Sequence, residues 1–560
     1  MARRAHMWQQ LQDDVDLLVI GGGINGAGIA RDAAQRGLKV AVVERGDVAS
    51  GTSSRSSKLV HGGVRYLEMF EFSLVFESVS ERRILLDIAP HIVRPLSFLF
   101  PVFTHSRRSL TTISTGLRVY EVLALFRSPK RPKKLKADAL RTIEPVLNQE
   151  ELVGAPLYYD CATDDARLTL ENAIAAIADG ATFVTYAEAT GFVFDSEGQI
   201  AGAHVKDHLS GEEKTIRAKA VVNAAGPWVD RVNHLRQEAE DRTLLRPTKG
   251  VHFAVKHQVL PLTHAIVCFH PVDQRVLFAL PWGDSTYVGT TDTDYEGDPA
   301  NVAATREDVD YLIQATDAYF PDHPVRPEDI HATWAGLRPL VRANTGKATD
   351  ESAVSREHHL DVSADGLITI AGGKLTTYRR MCEEVVDTVI RLLKLRHMLP
   401  EHIMRKGITE ESLLPGAIGW PADDEASAVQ QILDAGGGTI DQDTAELLAY
   451  SYGMRGVQVA ERARQNPALS ERILAHRPEI MAQVDFGIEE EFACTVTDIL
   501  KQRTQIYYRD ARQGLEAVDK VADRMAEVLA WTAAERTHFA EQYRDDVAHN
   551  RAWMHQESQA

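Results

Sequence analysis

An α/β fold is predicted by three features of this 560-residue chain. A glycine-punctuated strand–helix–strand unit lies near the N-terminus. Short apolar runs and helical runs then alternate to about residue 398, and the remainder reads as helix after helix.

The first unit runs from Leu17 to Glu44, LLVIGGGINGAGIARDAAQRGLKVAVVE. Leu17–Ile20 is a continuous apolar run of the length expected for a buried parallel strand. Gly21, Gly23 and Gly26 follow in GxGxxG spacing, with Asn25 in the same turn, and Glu44 closes the second apolar run 18 residues after Gly26. Gly21 permits the tight turn, Gly23 lets backbone approach a pyrophosphate, and Gly26 allows close helix–strand packing. N–H groups at the helix start would face the phosphates. Glu44 would accept hydrogen bonds from an adenosine ribose. The unit predicts dinucleotide binding; the plainer reading is a glycine-rich turn in an ordinary parallel sheet.

The pattern continues with a helix near Asn172–Asp179, a strand at Thr182–Tyr186 and a buried strand at Ala220–Asn223 ending in NAAGPW. Residues 246–294 are β-rich and read as a separate sheet. Leu367–Ala371 is a strand running into GGKLTTY and a helix to about Leu393. The expected organisation is a discontinuous Rossmann-like cofactor domain over 14–90, 150–245 and 330–398. A basic and apolar segment spans 91–149, a β-rich substrate domain 246–329, a linker 399–423 and a helical C-terminal domain 424–560.

A formal charge of −18 argues against nucleic-acid binding. Cys161, Cys268, Cys382 and Cys494 form no CxxC pair, which points away from disulfides and metal and toward a reducing cytoplasm. The N-terminus has no apolar signal core, and no run reaches the roughly 18 apolar residues of a spanning helix. Charge is uneven, however. Between Arg94 and Lys136 stand ten Lys or Arg and one acid, Glu121, among Phe98, Phe100, Phe103, Leu117 and Val119. That mixture suits an anionic bilayer surface, or equally a basic loop packed on its own domain.

Three further segments select a flavin over a nicotinamide. In TSSRSSKLVHGGVRYLE, the residues Thr52, Ser53, Ser57, Lys58, Gly62 and Gly63 would line a long cofactor's phosphates and ribityl chain. In NAAGPW, Ala225 and Gly226 let backbone pass close. In IAGGKLTTY, Gly372, Gly373, Leu375 and Thr376 aim a second helix start at the far end, where its dipole would stabilise charge on a reduced flavin.

These motifs, with DDARLTLENA, GTTDTDY and GLRPL, resemble the FAD-dependent glycerol-3-phosphate dehydrogenases of the aerobic, membrane-associated type. The resemblance spans about Asp16 to Arg380 and continues more weakly through the helical part. It implies oxidation of glycerol 3-phosphate to dihydroxyacetone phosphate, with hydride passing to flavin N5 and electrons to a membrane quinone. It also implies attachment to the inner face of the cell membrane; a homodimer is compatible with the helical domain. By resemblance, Arg65, Tyr66, Lys374 and Arg356 bind the phosphate, with Arg342 as the alternative to Arg356, and Arg338 lies beside the substrate oxygens. Arginine is a poor base, so His61 and His252 are the unranked candidates for proton removal. Competing readings are an oxidase using oxygen, an amine or amino-acid oxidase, and a non-catalytic flavin-bound sensor.

Overall fold

The structure is a computed structural model that describes residues 3–11, 14–63, 71–125, 127–236, 243–342, 358–421 and 424–556. The first sheet is built on Asp14–Ile20. Val40–Val43 pairs on one side of it and Glu213–Asn223 on the other, all parallel. Leu367–Gly372 extends the parallel set beyond Glu213–Asn223, and Thr182–Val184 extends it beyond Val40–Val43. His358–Val362 closes one edge antiparallel, and Ala187–Phe194 with Ile200–Asp207 form a meander on Glu213–Asn223.

Both faces of the central strand are covered, which is why its sequence is continuously apolar. Leu17 and Val19 face the helices Ile24–Gln35, Asp165–Ala178 and Tyr378–Leu395, through Ala30, Ala173 and Val385. Leu18 and Ile20 face the meander and the N-terminal helix Arg3–Gln10.

The second sheet is dominated by the long antiparallel pair Leu245–Lys256 and Ile330–Val341, with Ser285–Gly289, Val276–Trp282 and Ala265–Phe269 beyond it. Val93–Leu99 pairs with Ala265–Phe269 and with Leu152–Thr163, which also carries Leu59–Val60 and Lys133–Lys136. This redraws the expected domains. Residues 93–99, 152–163 and 330–341 belong to the second sheet, although the sequence reading placed them in a surface segment or in the cofactor domain. Each strand's partners are remote in sequence, so local pattern carried no trace of which sheet it joins.

The stretch expected to be a linker is irregular but docked. Met404 N–H donates to the Arg36 carbonyl (3.0 Å), Leu414 N–H to that of Ile88 (2.9 Å), and Gly416 N–H to Glu171 (2.7 Å). Beyond it the chain is helical from Glu425–Gly436 to Ala533–Arg551. Its core, including Leu448, Phe486, Ile499 and Val521, merges with Tyr287 and Trp334 of the second sheet. The four cysteines are buried and unpaired. Among the described residues no helix is long and apolar enough to cross a membrane.

Candidate active site

The parallel strands of the first sheet all end at one cavity of about 1190 Å³, closed on its far side by the second sheet. Ligands of open parallel sheets bind in this crevice beyond the strand ends. Apart from Gly26, Lys58, Gly62 and the alternative phosphate ligand Arg342, which donates to the Leu245 carbonyl (2.9 Å), every sequence-expected site residue that falls in the described chain borders it. Arg65, Tyr66 and Arg356 lie outside the described residues.

At one end the glycine turn forms a cradle. Gly21 has φ +113°, and a Cβ there would stand 2.6 Å from the Ala224 carbonyl oxygen. Gly23 caps the helix Ile24–Gln35 without a side chain, and Ile24 N–H donates to Ser53 Oγ (2.9 Å). The Glu44 carboxylate accepts from Gly22 N–H (2.5 Å) and Gly46 N–H (2.7 Å). Burial pushes its pKa up, opposed by those two donors. A carboxylate has about four lone-pair sites, so two remain for a ribose.

At the other end Gly372 and Gly373 adopt φ of +76° and +88°. The turn Leu375–Thr377 then opens directly into the helix Tyr378–Leu395, whose N-cap makes no side-chain hydrogen bond. Amide dipoles therefore converge here too. Thr376 is bonded to the His61 backbone at both N and O, which carries the His61 ring to this end, edge-on to Phe278 (6.3 Å).

The second sheet supplies the remaining wall. Strand alternation sends Val251 and Phe253 into the core and turns Gly250 and His252 to the cavity. His252 Nε2 lies 2.9 Å from Ser57 Oγ, and its ring stacks on Trp334 (4.9 Å, 8°). Burial, with Arg338 and Lys58 nearby, holds its pKa well below the usual histidine value, so it is neutral. Arg338 donates to Asp292 (3.0 Å), Thr290 Oγ1 (3.2 Å) and the Thr291 carbonyl (3.2 Å). Arg275 shares the same Asp292 and also borders the cavity. Thr290 and Asp292 were visible in GTTDTDY but had no assigned role; Arg275 sits in no motif and was missed.

Two sequence expectations are corrected. Lys58 is buried and bonded to Asp165 (2.6 Å), away from the cavity, so it anchors its loop instead of touching a cofactor. Gly62 does not reach the cavity; Tyr120 and Val79 fill the space a Cβ would take, and its N–H donates to the Tyr120 hydroxyl (2.8 Å). Gly26 acts through packing, as its place in the motif predicts, since a Cβ would collide with the Gly21 carbonyl.

FAD fits this cavity. Its volume of about 1190 Å³, the glycine cradle at one end and the second helix start at the other suit a dinucleotide. Asn25 Oδ1 and Trp228 Nε1, on residues bordering the cavity, are buried with no hydrogen-bond partner among the described residues.

Comparison with known proteins agrees. Residues 16–379 match the family of FAD-dependent oxidoreductases, and residues 407–536 match the C-terminal domain of alpha-glycerophosphate oxidase. An aerobic glycerol-3-phosphate dehydrogenase of Staphylococcus aureus is 38% identical over 542 residues, 96% of each chain. The FAD complex of glycerol-3-phosphate dehydrogenase from Bacillus halodurans superposes with a TM-score of 0.81, at 33% identity and 99% coverage of both chains. The L-α-glycerophosphate oxidase of Mycoplasma pneumoniae, also with FAD bound, shares the fold at 19% identity, with a TM-score of 0.52 over 68% of this chain and 95% of its own. The chain belongs to the FAD-dependent glycerol-3-phosphate dehydrogenase family, and FAD is its cofactor.

Proposed function

We propose that this protein oxidises sn-glycerol 3-phosphate to dihydroxyacetone phosphate and passes the electrons to a membrane quinone. The observation that carries the substrate assignment is the set of cations Arg275, Arg338 and Lys374 bordering the cavity, the first two meeting at Asp292 and the third lying two residues before Thr376, which holds His61. A phosphate dianion calls for several cations, whereas the single carboxylate of an amino acid calls for one. Bound FAD supplies the hydride acceptor. The glycine turn and Glu44 would hold its adenosine and pyrophosphate, and the Gly372–Thr376 turn its isoalloxazine end. Arg338, oriented by Asp292 and Thr290, holds the substrate oxygens. His61 removes the hydroxyl proton. It is favoured over His252, which burial beside Arg338 and Lys58 holds well below the usual histidine pKa and so makes a weak base.

Quinone as acceptor and an anionic membrane as docking surface are supported by one surface. Phe72 and Phe76 of the helix Phe72–Ile88 are exposed, and so are Val119, Val122 and Leu125 on or just after Leu110–Leu123. The two helices pack through Val75, Val79, Tyr120 and Ala124, so these apolar side chains share one region. Arg118, Arg127, Lys130 and Arg131 are exposed nearby in the chain. Apolar side chains rimmed by cations suit the inner, anionic leaflet.

Anaerobic addition of glycerol 3-phosphate should bleach the oxidised flavin absorbance; a flavin that stays yellow would sink the substrate assignment. Reduction of a quinone analogue should outpace oxygen uptake, and the reverse would make the protein an oxidase. Flotation on anionic but not neutral vesicles, weakened by salt and by neutralising Lys130, Arg131, Lys133 and Lys134, tests the docking surface.

A further inference from the structure

Among the described residues, the helical C-terminal domain contributes nothing to the cavity lining. It nevertheless reaches the back of that lining at the Glu44 end. The π-helical turn Asp498–Arg503 is buried there, and such turns often accompany functional sites. Arg503 makes a two-pronged contact to Asp47, Nη1 to Oδ2 (2.6 Å) and Nη2 to Oδ1 (2.9 Å), with both side chains at most 3% exposed. Asp47 follows Glu44 by three residues and opens the loop whose Ser50–Ser53 portion borders the cavity.

The same turn grips the neighbouring wall. Asp498 accepts from the Tyr186 hydroxyl (2.6 Å). Tyr186 N–H in turn donates to the Gly46 carbonyl (2.9 Å), and Ala187 and Glu188, next in the chain, border the cavity. Both side chains are themselves held. Asp498 accepts from Cys494 N–H (2.7 Å) and Thr495 N–H (3.0 Å). Arg503 donates to the Glu491 carbonyl (2.7 Å), and Arg167 of the cofactor domain donates to the Arg503 carbonyl (3.0 Å).

We propose that the C-terminal domain retains the adenosine half of FAD, with Arg503 and Asp498 as positioning residues that act through Asp47 and Tyr186. A bidentate, dry guanidinium–carboxylate contact fixes the angle as well as the position of the Asp47 loop. The Tyr186 contact fixes the neighbouring wall, which Tyr186 N–H ties to the Gly46 carbonyl, so the placement of both segments is set from outside the cofactor domain. The inference rests on the adenosine half lying at the Glu44 end, and on nothing about the substrate or the electron acceptor.

The test is FAD affinity and release rate, followed by flavin fluorescence on full-length protein, together with the inhibition constant of ADP against FAD rebinding. Two variants are compared with the parent. Asp47→Asn/Arg503→Met removes both charges at similar volume, and Tyr186→Phe removes one hydroxyl. FAD and ADP should weaken together, by about tenfold or more in the double variant and by about threefold or more in Tyr186→Phe. If FAD and ADP binding stay within about twofold of the parent in Tyr186→Phe while its thermal midpoint falls, the turn only holds domains together and the proposal is overturned. Should the double variant fail to fold, Tyr186→Phe decides on the same terms. Flavin bleaching by glycerol 3-phosphate is scored separately at saturating FAD, so a wrong substrate would not register as a lost clamp.

Discussion

Thr376 holds His61 at both ends of its backbone. The His61 N–H donates to Thr376 Oγ1 at 3.1 Å, and the same hydroxyl donates to the His61 carbonyl at 3.2 Å. Two turns 315 residues apart thus meet at one hydroxyl, and the histidine is placed by the late glycine unit. Thr376→Val keeps the shape and removes both bonds, a loss of about 1–2 kcal/mol of positioning. Turnover should fall about tenfold with the flavin spectrum retained. Unchanged turnover in steady-state assays would show that other contacts suffice.

His61→Gln should slow anaerobic flavin reduction by about 10²–10⁴, the range of a lost general base. The deficit should persist at saturating glycerol 3-phosphate. A change confined to KM would instead make His61 a binding residue.

Lys58→Met leaves Asp165 as a buried carboxylate without its cation, which costs about 3–5 kcal/mol. The urea midpoint should drop accordingly. KM for glycerol 3-phosphate should move little, because Lys58 points away from the cavity. A KM raised in step with the stability loss would return Lys58 to the site.

His91 is packed near Trp420 at the docking of the C-terminal domain, and neither ring nitrogen has a partner among the described residues. Burial, then Arg167 and Arg455, lowers its pKa from 6.5 to about 3. The unfolded chain therefore takes up this proton first. The contribution to stability is complete above pH 6.5 and drains away as pH falls from 6.5 toward 3, about 2 kcal/mol being lost by pH 5. His91→Phe should flatten the change in urea midpoint between pH 7.5 and 5. An identical slope in the variant would assign the acid sensitivity elsewhere.

How much of the site was legible depended on how local its geometry is. Gly21, Gly23 and Glu44 could be read because the turn, the helix start and the neighbouring strand lie within one short stretch. The two lysines show the limit. Lys58 and Lys374 both sit in small-residue motifs, yet Lys58 runs onto Asp165 of a helix more than a hundred residues away, whereas Lys374 borders the cavity. Arg275 is the converse case, an unremarked arginine brought to Asp292 by the hairpin of Val276–Trp282 and Ser285–Gly289.

By itself the sequence determined a dinucleotide cradle, a flavin-sized second helix start and a helical appendage, since each is written in local periodicity and glycine spacing. Tertiary structure alone decided that Val93–Leu99, Leu152–Thr163 and Ile330–Val341 share one sheet. It also decided that His61 is held by Thr376 and that the helical domain clamps Asp47. Strand pairing and side-chain meeting across hundreds of residues are set by which buried surfaces and charges satisfy one another, a condition no local pattern encodes.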